Sequence, residues 1–163
     1  MIITFEILHS RLSEYIAFLS GKDLILYNYN LILFKNGLRA REVHEMDRWS
    51  RNPDKTFTCI TEKNSNPRIF TTEDLSEYFI YHINNNLNAW NYNSYDTMNF
   101  YFKRSSNCAN IKHMYKNLSI SLYRHHFCKQ LHELGWTDEA IQAKLGEKDI
   151  RNSNNYIYSV LYE

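Results

Sequence analysis

The sequence has few residues of the kinds that break or cross-link a chain. Of its 163 residues, 4 are glycine and 2 are proline, and no linker rich in either divides it, so we expect a single domain. The three cysteines, Cys59, Cys108 and Cys128, are far apart and form no CxxC pair. This spacing argues against a zinc finger or a disulfide scaffold and favours a reduced, cytoplasmic compartment.

Long apolar runs and a strong charge of one sign are also absent. The longest apolar candidate is interrupted by Tyr27, Asn28 and Asn30, well short of the ~20 residues that cross a bilayer. The first residues contain neither a basic segment nor a small-residue cleavage site, so we expect no signal peptide and no membrane partner. The net charge of +1 does not by itself indicate a nucleic-acid partner, because such proteins usually carry a basic excess.

The charge that is present is unevenly distributed. The segment between Asp96 and Glu133 has no acidic residue, and aromatic side chains are interleaved with its basic ones. Its lysines and arginines are Lys103, Arg104, Lys112, Lys116, Arg124 and Lys129. Such a surface can hold a phosphate backbone. A solvated helix face balanced by acidic neighbours in space explains the pattern equally well.

Apolar periodicity and capping residues predict a mainly α-helical domain with a small antiparallel β-sheet, an α+β class. In the first half we expect helices over 10–20 and 23–35, followed by a β-hairpin made of 56–61 and 68–70. The second helix is apolar enough to cross the core, and Asn36-Gly37 is a suitable C-cap for it. In the second half we expect helices over 71–86, 95–104, 118–134, 137–146 and 152–162.

The segment from Arg124 to Tyr156 carries an ordered succession of motifs. Arg124-His125 opens it, the predicted helix ends at Gly135, Leu145-Gly146 follows, and Tyr156 closes it. This succession resembles, without a gap, the C-terminal half of the catalytic domain of the tyrosine recombinase (phage integrase) family. The pattern of that family is His-x-x-Arg-His, a helix ending in Gly, Leu-Gly-His and a nucleophilic Tyr.

The first half of the chain agrees independently. Residues Asn36 to Glu42 (NGLRARE) resemble the family's Gly-Leu-Arg-x-x-Glu box, and Glu62-Lys63 in the predicted turn resembles its hairpin lysine. The resemblance extends from about Ser10 to the end of the chain. It implies one catalytic domain over 1–163, without the N-terminal core-binding domain that usually precedes it.

The resemblance implies a site that breaks DNA strands through a 3′-phosphotyrosyl intermediate. Arg39 and Arg124 would bind the phosphate, because a planar guanidinium donates two hydrogen bonds to phosphate oxygens. Lys63 would protonate the leaving 5′-oxygen, and Tyr156 would be the nucleophile. No metal or other cofactor is implied, since the covalent linkage stores the bond energy.

Two of these assignments have competitors nearby in the sequence. Lys55 is the alternative to the hairpin lysine, and Tyr158 and Tyr162 are alternatives to the nucleophile. In a chain with 13 tyrosines, a single tyrosine more often packs at the edge of a core than acts in a site. The spacing of the motifs favours Tyr156.

The sequence departs from the family pattern at two positions. Ser121 stands where the first histidine of the box is usual, and it can donate a hydrogen bond without acid–base chemistry near neutral pH. Glu147 stands where the family has His or Trp, and a carboxylate repels a phosphate unless a cation such as Lys148 or Arg151 pairs with it. Together such losses can leave little activity. His125 or His126 is the candidate to compensate.

Two functions follow as hypotheses. The first is site-specific recombination or integration on double-stranded DNA, with the phosphate backbone also contacted by Arg41, Lys103, Arg104, Lys129 and Arg151. The second is a catalytically inactive relative that serves as a structural or DNA-binding component of a phage particle or nucleoprotein assembly. Either function implies a homo-oligomer or an assembly with other proteins. The location would be the cytoplasm of a bacterial or phage-infected cell, or the virion in the second case, and the 19 asparagines suggest an AT-rich genome.

Overall fold

A computed structural model describes residues 1–59, 66–85 and 87–163. In chain order, its helices are α1 (Phe5–Ser20), α2 (Leu24–Asn36), α3 (Ala40–His44), α4 (Glu77–Asn84), α5 (Tyr95–Ser105), α6 (Leu122–Glu133), α7 (Asp138–Leu145) and α8 (Ile150–Tyr158). The strands are β1 (Ile2–Ile3), β2 (Trp49–Arg51), β3 (Phe57–Cys59), β4 (Arg68–Phe70), β5 (Lys112–His113), β6 (Lys116–Asn117) and β7 (Leu161–Tyr162). The predicted class, mainly α with small antiparallel sheets, is confirmed.

The first helix begins five residues earlier than its apolar spacing indicates. Thr4 is its N-cap, with the side chain accepting a hydrogen bond from the Ile7 amide at 3.3 Å, and Glu6 lies in the first turn. Both features stabilise a helix N-terminus. The prediction of a start at residue 10 was therefore wrong, because it relied on periodicity and overlooked this cap. The helix ends before Gly21, as expected.

The apolar helix α2 is confirmed as the central element, and it packs against α1 and α6. Asp23 caps its N-terminus by accepting from the Leu26 amide at 3.0 Å. Gly37 ends it in the left-handed conformation, with φ +61° and its amide bonded to the Leu33 carbonyl at 2.8 Å. A Cβ on Gly37 would lie 2.3 Å from Cδ1 of Phe127 in α6. The turn after α2 thus needs glycine both for its φ and for this close approach.

The predicted hairpin is present and gains a third strand. Strands β2, β3 and β4 form an antiparallel sheet in that order, with Trp49 opposite Cys59 and Cys59 opposite Arg68. The predicted turn residue Lys63 lies outside the described residues. After Pro67, strand β4 runs antiparallel to β3, and its first residue, Arg68, contacts the end of α2.

The second sheet was not predicted. It has the order β1–β7–β5–β6 and joins the two ends of the chain, with Ile3 opposite Leu161 and Leu161 opposite His113. Strands of two residues show no alternation of polar and apolar positions, so the sequence contains no signal for them. Because β7 enters this sheet, the last helix ends at Tyr158, and its predicted extension to residue 162 was wrong.

Three further helix starts differ from the prediction, two of them because tertiary contacts hold the preceding residues. Helix α4 starts at Glu77 rather than 71, since the Ser76 amide and hydroxyl both donate to the buried Asn28 Oδ1 at 3.1 and 2.9 Å. Helix α6 starts at Leu122 rather than 118, after the Ile120 amide bonds Asn99 Oδ1 at 3.2 Å. Helix α8 starts at Ile150, two residues early, capped by Asp149.

The buried apolar residues form a large core around α1 and α2 and a second, smaller cluster. The second cluster lies between α6, α7 and α8 and consists of Phe127, Cys128, Leu131, Ile141, Leu145 and Ile157. The three cysteines are buried free thiols, as the spacing predicts. Within the described ranges, no helix is both long enough and apolar enough to cross a membrane.

A stack of aromatic rings between α1, α2 and α6 makes the fold sensitive to acid. The ring of His126 lies 4.5 Å from that of Phe34 and 5.4 Å from that of Phe5. His126 Nε2 is 2.8 Å from His9 Nδ1. Burial lowers the pKa of His126 from 6.5 to about 3. The unfolded chain therefore binds a proton that the folded chain rejects as the pH falls below 6.5.

We expect the free energy of unfolding to decrease as the pH is lowered from about 6.5 towards 3. The free energy of unfolding should change by up to about 1.4 kcal/mol per pH unit for each histidine that, like His126, is buried with a lowered pKa. His126→Phe should reduce this slope, as measured by denaturant unfolding at several pH values. His132→Phe is the matched control, because His132 is exposed. Equal slopes in the wild type and His126→Phe would contradict the assignment.

Candidate functional site

Two arginines from distant parts of the chain converge on one oxygen atom. Arg39 is the N-cap residue of α3, and Arg124 lies in the first turn of α6. The Nη2 atoms of both donate to Oε1 of Glu147, at 2.9 Å for Arg124. Arg124 is 3% exposed, and the Arg39 side chain is 22% exposed. The pair therefore forms one anion-binding position, reached from the Arg39 side.

A buried carboxylate and the end of α2 hold this pair in place. Oε1 of Glu42 accepts from the Arg39 amide at 2.7 Å and lies 3.7 Å from Nη1 of Arg124. Nη1 of Arg124 also donates to the Gly37 carbonyl at 2.8 Å. That carbonyl belongs to the C-terminal end of α2, where unpaired carbonyls favour a cation. The guanidinium of Arg124 is thus fixed before any ligand arrives.

Sequence reasoning missed a third arginine behind the pair. Arg68 on β4 donates to the carbonyls of Asn36 and Gly37, the latter at 3.3 Å, and its Nη1 is 3.7 Å from Glu42 Oε1. It is 3% exposed, and burial lowers its pKa to about 10. The hairpin register contained a signal, because a residue opposite the inward-facing Cys59 must also face inward.

A cleft of about 510 Å³ opens beside the arginine pair. The predicted site residues that line it are Arg39, Arg41, Ser121, Arg124 and Tyr156. Tyr95 at the start of α5 and Glu45 complete its rim. The cleft therefore collects residues from α3, α5, α6 and α8 around one position.

Tyr156 is the candidate tyrosine that faces this cleft. It is half-buried on α8, and its ring centroid lies 5.2 Å from Cζ of Arg124. Its competitors point elsewhere. The Tyr158 hydroxyl donates to Asp138 at 2.8 Å, and Tyr162 lies in the β1–β7–β5–β6 sheet. Residues 156 and 158 fall on nearly opposite faces of a helix, which explains the difference.

Two side chains of α6 fix the end of α8 that carries the tyrosine. Lys129 Nζ donates to the carbonyls of Ile157 and Ser159 at 2.9 and 2.7 Å. His125 Nδ1 is 2.8 Å from the Ser159 hydroxyl, and its ring packs edge-on against Tyr156 at 4.9 Å. Burial, with Lys129 as the next cause, lowers the pKa of His125 to about 3. The neutral imidazole therefore positions Tyr156 and is not protonated near neutral pH.

The fold is similar to those of solved DNA recombinases. The crystal structure of XerA recombinase is 17% identical, with a TM-score of 0.65 over 91% of this chain and 56% of that one. The Tn1549 transposon integrase in complex with a circular intermediate DNA is 20% identical, with a TM-score of 0.59 over 88% of this chain and 58% of that one. Neither a family model nor a curated protein sequence matches the chain.

The chain shares the fold of these recombinase and integrase structures. A second structure of the Tn1549 integrase, in complex with transposon right end DNA, is 16% identical with a TM-score of 0.52. The chain spans somewhat more than half the length of these proteins, 56% to 58%. TM-scores of 0.52 to 0.65 establish the shared fold, whereas identities of 16% to 20% carry no inference about the chemistry of this chain.

In this recombinase fold, Glu147 has different partners from those proposed on sequence grounds. Its carboxylate pairs with Arg39 and Arg124, whereas Arg151 pairs with Asp149 at 2.7 Å. His126, expected as a substitute for the family's histidine, lies in the stack with Phe5 and Phe34 and does not line the cleft. The carboxylate is thus neutralised by the two groups that a phosphate would need.

The predicted DNA-contacting residues occupy different environments. Lys103 and Arg104 are exposed on α5. Arg41 lies at the cleft and pairs with Glu45 at 3.3 Å, with its side chain 66% exposed. The Lys129 ammonium donates to the carbonyls at the C-terminal end of α8.

Lys55, the alternative to Lys63, lines a separate hollow with Phe57 and Glu73.

We expect Glu42→Gln to lower the free energy of unfolding by about 3–5 kcal/mol. The loss of this buried carboxylate leaves Arg68 and Arg124 with reduced compensation. Glu45→Gln is the matched control, because Glu45 pairs with the exposed Arg41 and Arg48 and should cost about 1 kcal/mol or less. Denaturant unfolding measures both. Equal losses in the two variants would refute the central role of Glu42.

Proposed function

We propose that this domain breaks and rejoins DNA strands, with Tyr156 as the nucleophile. The observation that carries the proposal is the convergence of the Arg39 and Arg124 guanidiniums on one oxygen beside the Tyr156 ring. Two guanidiniums around one acceptor match a phosphodiester, whose non-bridging oxygens gain negative charge during the reaction. The Tn1549 integrase structures, which contain DNA, support double-stranded DNA as the partner.

The reaction exchanges one phosphodiester for another. The Tyr156 hydroxyl releases its proton to solvent, and its oxygen attacks phosphorus and forms a 3′-phosphotyrosyl bond while the bond to the 5′-oxygen breaks. The leaving oxygen takes a proton from a general acid, which we assign to Lys63 on the resemblance alone. Attack by a 5′-hydroxyl then restores the DNA and releases the tyrosine. Every bond broken is replaced by one of similar energy, so the scheme requires no cofactor.

In this proposal both Ser121 and the arginine pair bind the phosphate, and they do so with different kinds of hydrogen-bond donor. Ser121 is half-buried and lines the cleft with Arg39 and Arg124. Its hydroxyl supplies a neutral hydrogen-bond donor where the family has a histidine, so the cationic stabilisation falls to the arginine pair. Arg41, Lys103 and Arg104 extend the contact along the DNA backbone. With a net charge of +1, the charge of the domain as a whole contributes little to DNA binding, so we assign the affinity to these local cations, with a second copy or a partner protein adding contacts.

A second candidate function rests on Glu147. Its buried carboxylate holds both guanidiniums, so a phosphate cannot bind them while this contact persists. This arrangement favours a catalytically inactive domain that binds DNA or builds an assembly, including a virion component. Under this alternative, Tyr156→Phe leaves assembly and DNA affinity unchanged.

The two candidates are separated by a covalent-trapping experiment. A library of duplexes with a randomised core and a nick beside it serves as the suicide substrate, because the short cleaved strand diffuses away and prevents rejoining. We expect a protein–DNA adduct that survives denaturation with the wild type and is absent with Tyr156→Phe, a loss of at least about 10³-fold.

Tyr158→Phe is the matched control for this experiment. It makes the same change on the same helix and removes only a surface hydrogen bond to Asp138, so it should retain the adduct. An adduct that persists in Tyr156→Phe would refute the assignment of the nucleophile. Wild-type protein that binds duplexes and never forms an adduct would favour the inactive domain.

A further inference from the structure

The oxygen between the two arginines belongs to the protein itself. Glu147 is 5% exposed, and its Oε1 accepts from both Arg39 and Arg124. A carboxylate oxygen and a non-bridging phosphate oxygen carry similar charge and accept the same guanidinium donors. The carboxylate therefore stands where the phosphodiester of the proposed reaction must bind.

The charges around this position make the two anions alternatives. Among the described residues, this cluster contains the guanidiniums of Arg39, Arg68 and Arg124 and the carboxylates of Glu42 and Glu147, whose charges sum to +1. Removing Glu147 raises it to +2, and a phosphodiester in its place restores +1. Two anions at the same pair of guanidiniums would repel each other at short range.

The backbone of Glu147 is held, so an exchange has to occur through its side chain. Gly146 ends α7 with φ +71°, and its carbonyl accepts from the Asn66 amide at 2.7 Å. The Glu147 amide donates to the Gln142 carbonyl at 3.1 Å. The second carboxylate oxygen, Oε2, has a weak contact of 3.5 Å with the exposed Asn152. A rotation of the side chain towards the exposed Asn152 would carry the carboxylate out of the arginine pair and towards solvent.

We propose that Glu147 is a built-in competitor for the DNA phosphate and that the arginine pair accepts a phosphodiester only after this carboxylate leaves. The proposal rests on the proposed function only in taking a phosphodiester as the natural ligand. While Glu147 is bound to the two arginines, the site has low affinity for DNA. Any contact that draws the Glu147 side chain outward makes the arginine pair available to a phosphodiester. The apparent affinity for an oxyanion equals the intrinsic affinity of the arginine pair multiplied by the fraction of molecules in which the carboxylate has left it.

Inorganic phosphate tests the competition without DNA or catalysis. Glu147→Gln should bind phosphate about 10–100-fold more tightly than the wild type, because the neutral amide no longer competes for the guanidiniums. Calorimetry and thermal unfolding measure the affinity, with chloride adjusted to keep the ionic strength constant. Should Glu147→Gln be unfolded in chloride, refolding by phosphate is the supporting result.

Two control variants identify where the phosphate binds. Glu45→Gln removes one negative charge from the rim of the same cleft and should leave the affinity for phosphate within about twofold of the wild type. The double variant Arg39→Gln/Glu147→Gln should lose the gain. Equal phosphate affinity in the wild type and Glu147→Gln, or a gain that survives loss of Arg39, overturns the proposal. So does a Glu147→Gln protein that phosphate stabilises no better than chloride.

The covalent-trapping assay separates this failure from failure of the proposed function. A gain in phosphate affinity without any adduct in Glu147→Gln refutes strand cleavage and supports the competitor. An adduct at equal levels in the wild type and Glu147→Gln, with equal phosphate affinity, supports cleavage and refutes the competitor. Both proposals together require Glu147→Gln to form more adduct than the wild type.

Discussion

The structure depends on a buried group of arginines gathered around the C-terminal end of α2. Taking a guanidinium out of water costs several kcal/mol unless charges and acceptors compensate it. Here the Gly37 carbonyl accepts from both Arg68 and Arg124, and Glu42 lies 3.7 Å from each. The helix supplies carbonyls that lack partners, and the arginines supply donors that water no longer reaches. The position of the anion site is thus set by where the central helix stops.

That stopping point in turn requires a glycine. Gly37 adopts φ +61°, and Phe127 of α6 packs where a Cβ would lie. The close approach brings the start of α6, and with it Arg124, to the end of α2. The sequence showed Asn36-Gly37 as a C-cap, which is a local property. It contained no sign of the contact with Phe127, because that contact joins two helices far apart in the chain.

The same division between local and distant interactions explains what the sequence predicted. Caps such as Asp23 and Thr137 and the apolar spacing of α2 are properties of neighbouring residues, so those helices were predicted closely. The sheet formed by the two chain ends and the inward-facing Arg68 arise only from pairing with remote strands. The motif order predicted that Arg39 and Arg124 would meet. It did not predict that Glu147 would lie between them, because nearby lysine and arginine looked like sufficient partners for its charge.

The residues of the site lie on different elements of the fold, namely the helices α6 and α8 and the connection between α7 and α8. Arg124 lies on α6, and the same helix holds the tyrosine-bearing end of α8 through Lys129 and His125. Tyr156 and Arg124, the proposed nucleophile and one proposed phosphate ligand, are therefore held by the same helix, whereas Glu147 lies on the short connection between α7 and α8. Because that connection is fixed through its backbone, we expect that displacing the carboxylate would change one side chain and would leave the distance between Tyr156 and Arg124 unaltered. Under the proposed function, the domain would in this way keep Tyr156 and Arg124 at a fixed distance while the carboxylate of Glu147 occupies the position proposed for the phosphate.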